Sequence, residues 1–259
     1  MSGPAAVVAL VLLEWTTGLA AGSAWTQSWT VVRRGHFRIV AWTVLILAIL
    51  AALAARTLDI SATEETLVIV LVIGAALHVA LQYTRWETVA VIAGYAVSVA
   101  GAVCLIVVGG SIGGWGQLSA ALALIVGALL VGAVTNGMLL GHWYLNQPGL
   151  KPWALGRLTN AALGATAVSL VAGAMAAGSL TSATTEGAVL GLPGFGDSFA
   201  LVFFGICGAL VVFTGAVVWA ARRCIKIRSI QSATGLYYVA LLTAGVSEFL
   251  VRYLMVNAS

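Results

Sequence analysis

Eight runs of apolar residues, each close to the length that crosses a bilayer, dominate this sequence. About 20 helical residues span the roughly 30 Å of hydrocarbon in a membrane. Since 61% of the residues are hydrophobic and only 8% are charged, the composition excludes an ordinary soluble domain. The sequence predicts an all-α integral membrane protein with eight transmembrane helices. We place the helices at residues 4–28, 37–55, 66–84, 86–109, 117–144, 158–178, 198–221 and 233–256.

Basic residues are concentrated in alternate loops. Ten of the twelve lysines and arginines lie on one side: Arg33, Arg34, Arg38, Arg85, Lys151, Arg157, Arg222, Arg223, Lys226 and Arg228. The opposite loops carry Asp59, Glu64, Glu65, Glu186 and Asp197, with Arg56. The positive-inside rule therefore predicts a multi-pass protein of the cytoplasmic membrane with both termini outside. We expect the first apolar run to be a retained helix, because Glu14 interrupts it and no basic residue precedes it.

A short pattern occurs in both halves of the chain. Helix 1 carries Thr-Thr-Gly-Leu-Ala-Ala-Gly from Thr16, and helix 5 carries Thr-Asn-Gly-Met-Leu-Leu-Gly from Thr135. An even number of helices separates the two copies, so they run in the same direction. We infer two parallel-repeat four-helix bundles, residues 1–112 and 113–259. The glycines four residues apart in each copy lie on one helix face, where small residues let backbones approach.

Ionisable side chains inside the hydrocarbon cost about 2.5–3.5 kcal/mol on insertion scales and point to function. Glu14 lies about ten residues into helix 1, near the membrane centre, with no basic residue within a turn of the helix. We expect it to handle a proton, because desolvation disfavours its charged form. Glu248 lies in the outer half of helix 8, where the spacing also favours a structural ion pair with Arg252 one turn away.

Three histidines offer an alternative in which helices hold a haem b. Such a haem needs two axial imidazoles at matching depth on facing helices. His78 lies near mid-membrane, whereas His142 lies at the cytoplasmic end of helix 5, about 8 Å away in depth at 1.5 Å per residue. His36 matches His142 in depth, but both lie at the interface. His142 and Asn136, also on helix 5, stay candidate ligand contacts without haem.

The sequence carries no motif typical of a disulfide framework, a metal site or a phosphate-binding loop. The three cysteines, Cys104, Cys207 and Cys224, lack the spacing of a disulfide, zinc or iron–sulfur site and are expected to be packing residues. The glycine-rich stretch from Gly109 to Gly114 lacks the lysine of a phosphate loop and is expected to be a turn. Since the basic loops are explained by membrane orientation, no nucleic-acid partner is expected. Segment 179–197, the longest outer loop, is a candidate contact for an external partner.

Two short stretches resemble one family of membrane subunits. Ala244-Gly245 leading into Glu248, Arg252 and Tyr253 resembles the last helix of the membrane-anchor subunits of the DMSO reductase and polysulfide reductase type, often called NrfD-like. Leu13-Glu14-Trp15 looks like an early Glu-Trp of that family. Eight helices in two bundles with both termini outside also fit the resemblance. The chain is short for the family, and its outer half carries no histidine.

The resemblance implies a subunit that binds menaquinone or ubiquinone and anchors an iron–sulfur subunit and a catalytic subunit on the outer face. Glu14, Glu248 and Arg252 then become candidates for the quinone pocket, together with Asn136 and His142, and Glu14 for proton handling. Such a chain is a quinone-site or non-catalytic part of an oxidoreductase in a respiratory electron-transport complex. The alternatives are a haem b-carrying electron-transfer subunit, a transporter, or a structural subunit of a membrane complex.

Overall fold

A computed structural model describes residues 3–113, 115–147, 149–180 and 198–257. The described residues form eight α-helices, each long and apolar enough to cross a membrane. The helices are α1 (Pro4–Gln27), α2 (Arg34–Ala55), α3 (Ala62–Gln82), α4 (Glu87–Gly109), α5 (Gln117–Asn146), α6 (Trp153–Leu180), α7 (Ser198–Lys226) and α8 (Ile230–Asn257). The predicted all-α fold of eight transmembrane helices is confirmed. Glu186 and Asp197, together with residues 181–197 of the predicted outer loop, lie outside the described residues.

Several helices run further than the apolar runs predicted. α6 begins at Trp153 rather than residue 158, and α7 continues to Lys226 rather than ending at 221. A search for apolar runs stops at the first charges, whereas a helix continues through the headgroup region with its charges in water. Arg223 and Lys226 fall in the last turn of α7, where cations complement the helix dipole.

Each half of the chain folds into a ring of four helices. In the first ring, consecutive helices pack together and α4 packs back on α1. In the second ring, α5 packs on α6, α6 on α7, α7 on α8 and α8 back on α5. The rings meet mainly where α1 packs along α5, with further contacts from α4 to α5 and from α1 to α8. The division into domains at residues 112 and 113 stays a prediction.

The seam between α1 and α5 is built on glycine. A Cβ atom added at Gly132 would lie 2.2 Å from the backbone carbon of Gly18, so the two backbones are in direct contact. The glycines of the short repeat do not have matching environments. Gly18 and Gly22 face α5, whereas Gly137 and Gly141 of α5 face α8, where their nearest neighbours are Tyr237 and Thr234.

The outward faces of the helices carry large apolar side chains. Exposed examples on six of the helices are Ile46, Leu53, Ile73, Leu77, Ile92, Val99, Leu122, Leu129, Val171 and Leu242. Soluble monomers rarely expose apolar surface on this scale. Together with the length of the helices, it identifies a multi-pass membrane protein.

Polar contacts tie the helices at both ends. At the end that contains the α3 N-terminus, Ser61 and Glu64 form a reciprocal cap, and Ser111 after α4 donates a hydrogen bond to Glu64. At the opposite end, Arg34 at the start of α2 donates to the Thr84 carbonyl. The loops that follow α3 and α4 are thereby fixed to neighbouring helices. The turn after α4 occupies residues 110–113, and Gly114 lies outside the described residues.

Candidate functional site: a buried charge cluster beside an apolar cavity

Three charged side chains meet inside the protein at the junction of the two rings. The Arg252 Nε atom of α8 lies 2.7 Å from Glu14 Oε1 of α1, and Arg252 Nη2 lies 2.8 Å from Glu248 Oε2 of α8. All three side chains are buried, with exposed fractions of 2% for Arg252, 0% for Glu14 and 4% for Glu248. Charges so far from water are stable only when they are paired. We call these three residues the charge cluster.

Arg252 is the centre of the cluster because its planar guanidinium presents donors in several directions. Nη2 donates to Glu248 and to the backbone carbonyl of Ala123 on α5, the second over 2.8 Å. Nη1 contacts the Met255 sulfur at 3.4 Å. The Nε–H bond does not point along the line to Glu14, so the contact with Glu14 is an ion pair rather than a linear hydrogen bond.

A glycine of α5 makes room for the cluster. A Cβ atom at Gly127 would lie 2.5 Å from Arg252 Nη2, 2.5 Å from Glu248 Oε2 and 2.6 Å from Glu14 Oε1. The three charged side chains therefore converge on Gly127, a position of α5 that has no side chain. Sequence reasoning missed Gly127, since nothing distinguishes it from the other glycines of an apolar helix.

The structure corrects one premise about Glu14. The sequence shows no basic residue within a turn of Glu14, and we therefore expected a carboxyl without a neighbouring base. That premise is wrong, because α8 returns against α1 and brings Arg252 to 2.7 Å. The predicted pair between Glu248 and Arg252 is present, so Arg252 is shared by two carboxylates.

A cavity of about 370 Å³ lies inside the second ring and has the cluster in its wall. Glu248 and Arg252 line it from α8, whereas Glu14 lies behind them. All four helices of the ring contribute apolar or small side chains to the rest of the wall. These are Trp115, Ala123, Val126, Leu170, Ala172, Ala174, Phe204, Cys207, Val211, Val251 and Leu254, with glycines at 127, 173, 205 and 208. Ligand sites in proteins are commonly apolar cavities of roughly 300–1,000 Å³ with a few converging polar groups.

The cavity is also lined by a hydroxyl-bearing side chain, Ser169 of α6. Its side chain is 9% exposed, and its hydroxyl has no hydrogen-bond partner among the described residues. Two threonines of the same helix, Thr159 and Thr166, donate instead to the carbonyl four residues earlier. The Ser169 hydroxyl is therefore available to a ligand. Sequence reasoning missed it, because a serine in an apolar helix usually bonds to its own backbone.

Two predicted ligand contacts lie away from the cavity. Asn136 is buried in the α1–α5 seam, where its amide nitrogen donates to the carbonyls of Leu19 and Gly132 at 3.2 and 2.8 Å. His142 is exposed near the end of α5. Neither residue lines the cavity, so the structure brings together Glu14, Glu248 and Arg252 but not Asn136 or His142.

The histidines considered for haem have separate environments. His78 of α3 is buried against Gly94 of α4, and its Nε2 atom lies 3.5 Å from the Gln82 amide nitrogen. Gln82 also exchanges two hydrogen bonds, of 2.9 and 3.0 Å, with Gln27 of α1. His36, by contrast, packs beside Phe37 and Trp143 at the start of α2. Among the described contacts, none joins two of the three imidazoles.

The described residues include no group of three or more histidine, cysteine, aspartate or glutamate side chains that could hold a metal ion. Cys104 and Cys207 are buried, Cys224 is partly buried, and all three are free thiols. Cys207 lines the cavity as a small apolar side chain. Glu248, Arg252 and Ser169 are the charged and hydroxyl-bearing side chains that line the cavity.

Comparison with protein-family models, with curated proteins and with solved structures finds no match for this chain.

Proposed function

We propose that this protein is a quinone-interacting membrane subunit of a respiratory oxidoreductase complex. It passes electrons between menaquinol or ubiquinol in the bilayer and an iron–sulfur subunit that serves a catalytic subunit. One observation carries the proposal: a buried arginine shared by two carboxylates forms the polar wall of an apolar cavity inside a transmembrane ring. The resemblance of the Glu14 and Glu248–Arg252 stretches to anchor subunits of this class agrees with it.

The cavity suits the ring of a lipid-soluble quinone. Its volume, about 370 Å³, is at the lower end of the range of ligand sites. The apolar wall suits the hydrocarbon parts of the ligand, and the two polar positions, Ser169 and the Glu248–Arg252 pair, suit its oxygens. A guanidinium donates hydrogen bonds to a quinone oxygen, whereas a carboxylate accepts one from a quinol hydroxyl.

The charges of the cluster support a role in proton transfer. Two carboxylates and one guanidinium carry a net charge of −1 when all three are ionised, and one added proton makes the cluster neutral. Inside hydrocarbon, a neutral cluster costs less free energy than a charged one. The cluster therefore has the capacity to accept one proton from a ligand hydroxyl. Glu248 is the carboxylate in the cavity wall, and Glu14 is the second charge that keeps Arg252 paired when Glu248 is protonated.

Oxidation of a quinol releases two electrons and two protons. In our proposal the proton of the hydroxyl beside Glu248 moves to Glu248 and from there to water at the membrane surface, and the proton of the hydroxyl at the opposite end of the ring leaves to water without passing through Glu248. The two electrons pass to the iron–sulfur subunit. This chain holds Arg252 and Glu248 beside the reacting oxygen and excludes bulk water from it with the apolar cavity wall.

The position of the cavity suggests the side on which the partners bind. Trp115, just before α5, and Leu254, near the end of α8, both line it, so it lies in the half of the protein that contains the chain termini. The basic residues concentrate at the opposite ends of the helices. With the positive-inside rule, the cavity then lies toward the outer face of the cytoplasmic membrane, with both termini outside. We propose that the iron–sulfur and catalytic subunits bind on that face.

A substitution of Glu248 tests the proposal directly. Glu248→Gln keeps the size of the side chain and leaves Arg252 paired with Glu14, so the protein is expected to fold. The complex purified with its partner subunits should oxidise a short-chain quinol at least tenfold more slowly, whereas Glu65→Gln, an exposed substitution on α3, should leave the rate unchanged. Parental turnover in the Glu248→Gln complex would contradict the proposed role of the cavity.

A visible absorption spectrum of the same preparation separates the proposal from the haem b alternative. We expect extractable quinone and no b-type band after reduction with dithionite. A stoichiometric b-type band that disappears when His78 or His36 is replaced by alanine would instead favour a haem-carrying subunit.

A further inference from the structure

Three glycines form one side of the cavity, Gly173 on α6 and Gly205 and Gly208 on α7. A Cβ atom at any of them would meet no described atom within 4 Å, so they border open space. Gly173 and Gly205 are also exposed, which Ser169 and Cys207 of the same wall are not. Among the described residues, the α6–α7 side is therefore where the cavity opens toward the bilayer.

The polar groups of the cavity lie on opposite sides of it. In the second ring α6 packs on α5 and α7, and α8 packs on the same two helices, so α6 and α8 are diagonal neighbours. Ser169 projects from α6, whereas Glu248 and Arg252 project from α8. Apolar side chains such as Val126 and Val211 line the wall between them.

We infer that the cavity is a lateral slot for a flat ring with one oxygen at each end, entered from the bilayer between α6 and α7. One ring oxygen meets the Ser169 hydroxyl, and the opposite oxygen meets Arg252 and Glu248. The apolar tail of the ligand leaves the slot past Gly173 and Gly205. This inference rests on the proposed function and adds the entry side, the orientation and Ser169 as the residue that selects a two-ended ligand.

Ser169 gains its selectivity from the cost of leaving a buried polar group unpaired. A ring that carries oxygens at both ends satisfies Ser169 and the charge cluster together. A ring with an oxygen at one end only leaves one of these groups without a partner, which weakens binding.

The test uses the protein in lipid nanodiscs and two probes, 2-methyl-1,4-naphthoquinone with two ring oxygens and 1-naphthol with one. Calorimetry measures the Kd of each. Gly173→Leu places a side chain in the slot at a position where an added Cβ atom meets no described atom within 4 Å, and it should raise the Kd for the naphthoquinone at least tenfold. Gly208→Leu tests the same wall from α7 and should act likewise.

The matched control is Gly164→Leu on α6. Gly164 is exposed, and a Cβ atom there also meets nothing within 4 Å, but it does not line the cavity. At 100° per residue, nine positions place it on the opposite face of the helix from Gly173. The Kd should therefore stay at the parental value. The slot would be overturned if Gly164→Leu raised the Kd for the naphthoquinone as much as Gly173→Leu does. It would also be overturned if Gly173→Leu and Gly208→Leu left that Kd unchanged.

Ser169→Ala tests the orientation. It should raise the Kd for the naphthoquinone about fivefold, the equivalent of one hydrogen bond of about 1 kcal/mol, and change that for naphthol by less than twofold. Equal effects on the two probes would overturn the role of Ser169.

If the slot variants block binding while no quinol-linked turnover exists, the slot stands and the respiratory function fails. If the slot variants oxidise quinol at the parental rate, the respiratory function stands and the slot is not its quinone site.

Discussion

Glycines have opposite functions in the α1–α5 seam and in the α6–α7 wall. At the seam, Gly132 and Gly18 bring two helix backbones into contact, and a Cβ atom at Gly132 would overlap its neighbour. At the wall, Gly173 and Gly205 border open space. The same residue type thus removes space between helices in one region and creates it in the other. An abundance of small residues in a membrane helix therefore indicates close packing only where the facing helix is also known.

The charge cluster lies between the α1–α5 seam and the cavity. Glu14 comes from α1, a helix of the seam, and Glu248 comes from α8, a wall of the cavity. Gly127 belongs to α5, which forms one side of the seam and also lines the cavity. An added Cβ atom at Gly127 would overlap its neighbours, as at the seam, although the residue lines the cavity. Substitutions at these positions test how far packing and function are separate.

The largest effect is expected at the seam. Gly132→Val places a branched side chain where even a Cβ atom would lie 2.2 Å from Gly18, so the helices must separate or shift. Overpacking costs typically about 1–3 kcal/mol, and a backbone contact leaves little room to relax, so we expect a loss near 3 kcal/mol. Thermal unfolding in detergent, followed by circular dichroism, measures it. A midpoint equal to that of the parent would show that the seam is not a fixed contact.

A smaller loss is expected at the junction. Gly127→Ala pushes a methyl group into the charge cluster, where the nearest contacts are the ends of side chains that can move by a few tenths of an ångström. We expect a loss of about 1–2 kcal/mol, since the displaced ion pairs are buried. Quinol turnover should fall in the same variant, because Arg252 and Glu248 move with the cluster. Loss of stability with unchanged turnover would separate the cluster from the proposed reaction.

The sequence predicted the parts of this structure that depend on local pattern. Apolar runs located eight helices, because hydrocarbon demands about 20 apolar residues from each. The four-residue spacing of Glu248 and Arg252 predicted their pair. The pairing of Glu14 with Arg252 was out of reach, since it joins the first helix to the last. The glycines of the proposed slot could not be identified among the 30 glycines of the sequence. Only the contacts of a glycine in the fold show whether it allows close packing or borders open space.

Glu14→Gln tests whether the seam side of the cluster contributes to function without contributing much to stability. The variant leaves Arg252 and Glu248 as a neutral pair, so the cluster no longer needs a proton to balance its charge. We expect a normally folded protein whose quinol-linked turnover between pH 6 and 8 falls at least tenfold, equivalent to about 1.4 kcal/mol of barrier. Glu65→Gln, exposed on α3, is the control. Turnover at the parental rate would make Glu14 a structural partner of Arg252 alone.

The smallest effect is expected at the wall, and its sign is opposite to that at the seam. Gly205 lies within α7 and is exposed, and a Cβ atom added there would have no described atom within 4 Å. Gly205→Ala therefore meets no steric penalty and removes backbone freedom from the unfolded chain, which stabilises a helix by up to about 1 kcal/mol. The unfolding midpoint should rise slightly or stay unchanged, and the Kd for 2-methyl-1,4-naphthoquinone should change by less than twofold, because a methyl group occupies little of a cavity of about 370 Å³. A midpoint well below that of the parent would show that another segment packs on Gly205, and the contrast between seam and wall would then no longer hold at this position.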